Sequence, residues 1–272
     1  MKIGDWLADH TKQLSDADLG SARLDCLILL EDELEMPRAS ILAHTDQQLS
    51  PEQLLRLNHK IAQRIQHMPL AYIRGFVEFY GRRFFVTKNV LVPRPETEIM
   101  IELLKKISPT NTIIDLGTGS GALAITAKHE FPAASVYGVD IDPRCLTVAR
   151  RNSSTHKIKV HFQQSDLLDG CADDITHGAT ILANLPYVPV HHPLNLDAAH
   201  EPHHAIFSGQ DGLDHYRKLF TQAQSKQVAI ILTEGLPFQH TELQKIGMDT
   251  QFSLALSEGY IQVFTASEPP QA

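Results

Sequence analysis

The chain has 272 residues, 43% of them hydrophobic, and a formal charge of -8, so it has room for one large domain or a large and a small one. Nothing in that balance supports a sequence-independent grip on nucleic-acid phosphates, which needs a basic face. No uncharged apolar run approaches the roughly 18 residues of a membrane span, Met1-Lys2-Ile3-Gly4-Asp5-Trp6 lacks the apolar core of a signal peptide, and Cys26, Cys145 and Cys171 are far apart and odd in number, which together fit a protein of the reducing cytoplasm.

Residues 1 to about 70 read as helices. Leu24, Leu27, Ile28 and Leu34 fall near helical spacing. Ser50-Pro51-Glu52 has the form of an N-cap with proline in the first turn, followed by Leu54, Leu57, Ile61 and Ile65 on one face up to Gln66. From Gly75 to Val92 the character changes to aromatic and β-branched residues around Gly81, the pattern of a hairpin, and Pro93 and Pro95 stop it. The expected division is a helical domain over 1–72, a hairpin linker over 73–92 and a larger domain over 93–272.

Beyond the prolines the pattern alternates. Strands are expected at Thr112–Leu116, Ser135–Asp140, Lys159–Gln163, Thr180–Ala183 and Gln227–Thr233, and helices at Gly121–His129, Pro143–Asn152, Gly212–Gln224 and Phe238–Ile246. Alternation of this kind implies an α/β fold, a doubly wound, mostly parallel Rossmann-like sheet with right-handed crossovers. Phe252–Leu256 and Tyr260–Thr265, separated by the turn Ser257-Glu258-Gly259, add an antiparallel strand near the C-terminus, and residues 267–272 read as a frayed tail.

Asp115-Leu116-Gly117-Thr118-Gly119-Ser120-Gly121 follows the first strand of that sheet, where a parallel sheet places its ligands. Glycines let a nucleotide-like ligand approach main chain, and the free N–H groups of the next helix can receive a phosphate or the carboxylate of methionine. Asp140 ends the second strand 19 residues after Gly121, where an acid can accept from both ribose hydroxyls; Asp142-Pro143 already caps the following helix. Asp166, with Leu167 beside it, is placed to meet the edge and face of adenine.

After the apolar run Ala179-Thr180-Ile181-Leu182-Ala183 comes Asn184-Leu185-Pro186-Tyr187. The Asn184 oxygen and the Leu185 carbonyl can each accept one N–H of a planar nitrogen group, Pro186 restrains the turn, and Tyr187 can stack on that group. Such a grip suits methyl transfer from S-adenosyl-L-methionine to an amide or amino nitrogen, with S-adenosyl-L-homocysteine as product. His191, His192, His200, His203 and His204 crowd the following loop without a cysteine at ligand spacing, and are expected to be solvated rather than to hold a metal.

Here the chain resembles the class I methyltransferases that modify a glutamine side-chain amide, typified by the release factor glutamine methyltransferases. That family's tetrapeptide is Asn-Pro-Pro-Tyr, so Leu185 departs from it, keeping the main-chain acceptor but loosening the loop. Asn-Leu-Pro-Tyr is also similar to the motif of ribosomal RNA adenine dimethyltransferases. Three stretches separate the two families: Met68 to Gly75, Glu78-Phe79-Tyr80-Gly81, and Leu91-Val92-Pro93-Arg94-Pro95-Glu96-Thr97-Glu98, joined downstream by Glu201-Pro202, Ala205 and Gly209 to Leu213. The resemblance implies that the N-terminal helices help to dock a release factor, whose Gly-Gly-Gln loop carries the acceptor, and that Arg94, Glu96 and Thr97 lie near the site. In the last strand, where the family suggests an arginine, the sequence reads Tyr260-Ile261-Gln262-Val263.

The expected catalytic residues are therefore Asn184, Leu185, Pro186 and Tyr187. The expected cofactor contacts are Asp115, Gly117, Thr118, Gly119, Ser120, Gly121, Asp140, Asp166, Leu167 and again Asn184, with no metal, no membrane and no direct nucleic-acid contact. The competing readings are an adenine-amino methyltransferase acting on RNA or DNA, a glutamine methyltransferase acting on another protein such as a ribosomal protein, and a binding module without turnover.

Overall fold

Ser50 opens the best-capped helix of the chain: its hydroxyl accepts from the Gln53 N–H while the Gln53 side-chain oxygen accepts from the Ser50 N–H, with Pro51 in the first turn. A computed structural model describes residues 1–267, so most of the expected tail, from 268 on, lies outside the described residues. The N-terminal stretch forms α1 (Ile3–Asp16), α2 (Ala22–Leu34), α3 (Arg38–Ala43), α4 (Pro51–Ile65) and α5 (Leu70–Arg74). These helices close over a core of their own that includes Trp6, Leu14, Leu29, Leu30, Ile41 and Leu57.

The inward stripe of α2 differs from the one its leucine spacing suggests. Leu24 is 45% exposed, whereas Cys26, Leu27, Leu29 and Leu30 are buried. Arg64 on α4 is buried and its Nε donates to Asp25 of α2 at 2.7 Å, while its Nη2 lies 2.8 Å from Asp197. Asp197 belongs to a segment, residues 194–200, that packs with Met1–Gly75 as one compact unit. The remainder from Phe76 forms the second unit, and it includes the hairpin β1 (Phe76–Phe79) and β2 (Arg82–Phe85).

In the second unit a 3-10 turn at Pro95–Thr97 leads into α6 (Glu98–Ile107), a helix absent from the expected elements. There follow β3 (Thr112–Leu116), α7 (Ala122–Glu130), β4 (Ser135–Asp140), α8 (Pro143–His156), β5 (His161–Gln164), α9 (Asp173–Thr176) and β6 (Thr180–Ala183). The chain then continues through α10 (Asp214–Ser225), β7 (Ile230–Glu234), α11 (His240–Asp249), β8 (Phe252–Glu258) and β9 (Ile261–Ala266). The strand order is β5-β4-β3-β6-β7-β9-β8, parallel except for β9, which runs antiparallel to both neighbours. The antiparallel strand thus lies inside the sheet and β8 forms the edge, with its residues after Phe252 exposed.

Each face of the sheet carries its own apolar layer. Ile114, Leu116, Ile181, Ile231 and Phe264 face α10 residues such as Leu219 and Phe220, and Ile113, Val136, Leu182, Leu232 and Val263 face residues of α6 and α7 such as Leu104 and Leu123. Alternate residues of one strand therefore enter opposite layers, and strands β3, β6 and β7 are buried on both sides. Strand order reverses between β3 and β6, and at that reversal the carboxyl ends of the strands leave a crevice.

Candidate active site

The glycine turn after β3 is built by local necessity. Gly117, Gly119 and Gly121 have φ of +68°, +54° and +79°, a region that penalises a Cβ. At Gly117 a Cβ would also come within 3.2 Å of the Leu185 side chain. Asp115, 1% exposed, organises the turn from beneath: its Oδ2 accepts from the Thr118 hydroxyl at 2.6 Å and from the Ala124 N–H at 3.1 Å. Burial pushes the Asp115 carboxyl up to about 7, against the pull of those two donors.

Asp140, at the end of β4, faces the same turn. Its Oδ2 accepts from the Gly119 N–H and its Oδ1 from the Asp142 N–H, each at 2.9 Å. Burial raises its carboxyl above the ordinary range, and the two main-chain donors oppose that rise. Gly138 shares the strand, and a Cβ there would strike the Phe162 ring at 2.6 Å, so β4 and β5 can approach here only through glycine.

Two cavities meet at Leu91, Gly117, Gly119 and Asn184. The larger, about 720 Å³ including its mouth, runs past Asp140, Ile141, Asp166 and Leu167 and is also bordered by His204 and His215. The smaller, about 430 Å³, is walled by Asp115, Thr118, Ser120, Arg94 and Thr97. Asp166 lies two residues past β5 rather than at its end, and its carboxylate is paired with Lys218 at 2.6 Å.

Asn184 sits at the junction, immediately after β6. Its Nδ2 donates to the Thr97 hydroxyl at 2.9 Å, and Thr97 in turn donates to Glu234 Oε2 at 2.7 Å. Among the described residues, none donates a hydrogen bond to the Asn184 side-chain oxygen or to the Leu185 carbonyl. Leu185, the position that departs from the family proline, is 3% exposed, and a Cβ at Gly117 would meet its side chain at 3.2 Å.

Tyr187 lines neither cavity: its ring packs against the α10 layer and its hydroxyl donates to Glu234 Oε1 at 2.9 Å. The ring expected to stack on a substrate thus has its hydroxyl held inside the fold. Burial raises the Tyr187 phenol strongly, and the neighbouring carboxylate adds to that rise. The Tyr187 carbonyl accepts from Gln239 Nε2 at 2.7 Å, and the same nitrogen donates to the Asp211 carbonyl at 2.7 Å. Gly212, at φ +84°, passes so close that a Cβ would fall on the Tyr187 carbonyl. The tetrapeptide is therefore gripped from behind by the Gly209–Leu213 stretch.

Glu201 ties two of the motif stretches together. Its Oε1 accepts from Arg94 at 2.6 Å and its Oε2 from the Val92 N–H at 2.9 Å, with the residue 6% exposed. The sequence reading missed Glu234, Gln239 and Tyr216. Tyr216 is fully buried and its hydroxyl lies 2.5 Å from the Glu234 carbonyl and 3.0 Å from that of Ala183. Glu234 carried a usable signal, an acid at the carboxyl end of a parallel strand like Asp140; the other two carried none.

Comparison with known proteins gives two profile matches, one described as the PrmC N-terminal domain over residues 5–75 and one as the methyltransferase small domain over residues 95–215. A release factor glutamine methyltransferase of Koribacter versatilis is 36% identical over 217 residues, covering 78% of this chain and 77% of that protein. The chain belongs to the release factor glutamine methyltransferase family. Its relative in Geobacter sulfurreducens is 30% identical over 275 residues, 98% of this chain and 92% of that one, and the one in Coxiella burnetii is 34% identical over 207 residues, 75% and 74%. Among solved structures, a methyltransferase from Pyrococcus furiosus aligns with TM-score 0.50 at 16% identity, over 80% of this chain and all of that one. The catalytic domain of hMettl16 bound to the MAT2A 3'UTR hairpin 6 aligns with TM-score 0.52 at 11% identity, over 80% and 82%. These likenesses are of fold: the seven-stranded sheet with its one antiparallel strand is the class I methyltransferase fold. Among the described residues, no helix is long and apolar enough to cross a membrane.

Proposed function

We propose that this protein transfers a methyl group from S-adenosyl-L-methionine to the side-chain amide nitrogen of the glutamine in the Gly-Gly-Gln loop of a peptide chain release factor. The cavities suit the donor: an acid with free acceptor capacity at Asp140 and an apolar wall of Ile141 and Leu167 fit a nucleoside, while the glycine turn and Asp115 beside the second cavity fit an amino acid bearing cationic groups. Gly117, Gly119 and Gly121 would let main chain lie against it, with Thr118 and Ser120 completing the turn and Asp166 facing the adenine. When bound, S-adenosylmethionine supplies an electrophilic methyl carbon on a sulfonium that leaves as a thioether.

The carrying observation is a pair of neighbouring residues with unbonded acceptors, the side-chain oxygen of Asn184 at the cavity junction and the carbonyl of Leu185, which borders the larger cavity. An amide nitrogen is a poor nucleophile because its lone pair is shared with its carbonyl. Two acceptors that take both of its N–H bonds hold the nitrogen in place and favour the positive charge that grows on it as the carbon–nitrogen bond forms. Once the carbon–nitrogen bond has formed and the carbon–sulfur bond has broken, that nitrogen releases one proton to solvent, and no nucleophilic side chain is required. Pro186 and the buried Leu185 keep the acceptors still, and Tyr187 fixes the loop from its far side.

In this reading the helical domain over 1–72 and the hairpin linker over 73–92 serve the docking of the release factor, Leu91 of the linker also bordering the donor cavities, and 93–272 supplies the remaining catalytic and donor-binding residues named above. Work in the cytoplasm is supported by three buried free thiols. Incubation with labelled S-adenosylmethionine, a purified release factor and total RNA, followed by mass-spectrometric mapping, tests the proposal. Label on the Gly-Gly-Gln glutamine is expected; label on adenine, or on none of these, contradicts it.

A further inference from the structure

The orientation of the Asn184 carboxamide decides whether an acceptor or a donor meets the incoming nitrogen, and its own shape does not settle that choice, since oxygen and NH2 occupy equivalent positions. We propose that Glu234 is a positioning residue for the transfer, acting through Thr97 to keep the Asn184 oxygen turned toward the substrate. This rests on the function proposed above.

The argument is a count of protons along one chain. Burial raises the Glu234 carboxyl above its ordinary range, and two donated hydroxyls oppose that rise and hold both of its oxygens as acceptors: Thr97 at Oε2 (2.7 Å) and Tyr187 at Oε1 (2.9 Å). Thr97 has a single hydroxyl proton, and it is given to Glu234. The Thr97 oxygen therefore shows only lone pairs to Asn184, which must answer with its NH2, at 2.9 Å. The Asn184 oxygen is thereby left on the cavity side. Were the carboxylate to become a donor toward Thr97, the hydroxyl would turn its proton onto Asn184 and the carboxamide would invert, aiming NH2 at an N–H.

Burial makes the arrangement rigid. Glu234 is 1% and Thr97 3% exposed, so water cannot substitute for a lost partner. Main-chain bonds hold the hub in place: the Glu234 N–H donates to the Tyr216 hydroxyl at 3.3 Å, and that hydroxyl reaches the carbonyl of Ala183, the residue preceding Asn184. Both Asn184 and Tyr187 thus refer to one carboxylate that itself lines neither cavity.

The test is steady-state kinetics on the release factor with Thr97→Val, Thr97→Ser and Glu234→Gln, with S-adenosylhomocysteine affinity measured by calorimetry on each. Thr97→Val keeps the volume and removes both hydroxyl functions; kcat is expected to fall at least tenfold and by a larger factor than the dissociation constant rises, and Thr97→Ser to recover most of the rate. Glu234→Gln, which offers an N–H where the carboxylate accepts, is expected to lower kcat at least tenfold alone and by less than twofold when added to Thr97→Val. In side-chain amide NMR spectra, the Asn184 resonances are expected to shift in Thr97→Val and to return in Thr97→Ser. Full kcat in Thr97→Val, or equal losses from Glu234→Gln with and without Thr97, would overturn the positioning role while leaving the reaction in place. A wild-type protein that labels no glutamine would instead remove the reaction on which the role depends.

Discussion

Asp140 spends one lone pair of each oxygen on the main chain, at Gly119 and Asp142, and the proposed function gives the others to the ribose diol. Replacing it by alanine removes charge-assisted hydrogen bonds of roughly 1.5–3 kcal/mol in total effect, so S-adenosylhomocysteine should bind roughly 10- to 100-fold more weakly by calorimetry. Turnover at saturating donor should suffer less, and an unchanged dissociation constant would refute the ribose assignment. Asp115 predicts a pH effect instead. Its folded pKa, about 7, lies above the ordinary value of 3.8, so the native state holds a proton that the unfolded chain releases. The stability this contributes is complete below about 3.8 and lost as pH rises through 7. The melting temperature of the wild type relative to Asp115→Asn should therefore decline between pH 4 and pH 8; a constant difference would contradict it. At this scale the places of Asp140 and Asn184 beside the glycine turn were legible because each closes or follows an apolar strand of the parallel sheet. Glu234 lay one residue beyond the expected end of its strand, and its partners Thr97 and Tyr187 are 137 and 47 positions away, a separation that no local pattern encodes.

The elements themselves follow from short-range rules where one rule dominates. Ser50 with Pro51 starts α4, the alternation of apolar runs gives the parallel sheet, and Asp142-Pro143 starts α8, with Asp142 accepting from the Arg144 N–H at 2.8 Å. Local reading fails where packing chooses among equivalent stripes, as in α2, whose leucines occupy more than one side and of which Leu24 is left outside. It also fails to place β9 inside the sheet, since hairpin spacing fixes that two strands pair but not which of them meets β7. The loop after the tetrapeptide yields a sharp element-scale prediction. Gly212→Ala imposes roughly 1–2 kcal/mol for the left-handed conformation and adds a collision with the Tyr187 carbonyl. Denaturant unfolding should show a loss of at least that size, accompanied by lower turnover, because the same contact holds the tetrapeptide. A neutral substitution would mean that the loop relaxes freely.

For the whole molecule, the shift from helical periodicity to alternating strands marks two units, and each has its own core. The packing of residues 194–200 with the helical unit was not legible, since the ion pair that holds it joins Arg64 to Asp197 across 133 positions of chain (197 minus 64). Breaking that hub should be costly: Arg64→Ala strands Asp25, 4% exposed, without its cation, at roughly 3–5 kcal/mol. Trp6 is the single tryptophan and lies in this unit, so its fluorescence in a denaturant titration reports the loss directly; an unmoved midpoint would refute the hub. The central claim is that the Asn184 oxygen acts on the substrate nitrogen and not on the donor. The deciding measurement compares Asn184→Ala with the wild type in turnover on a release factor and in S-adenosylhomocysteine affinity. The account predicts a turnover loss of roughly 100-fold or more with affinity largely kept; equal losses in both would contradict it.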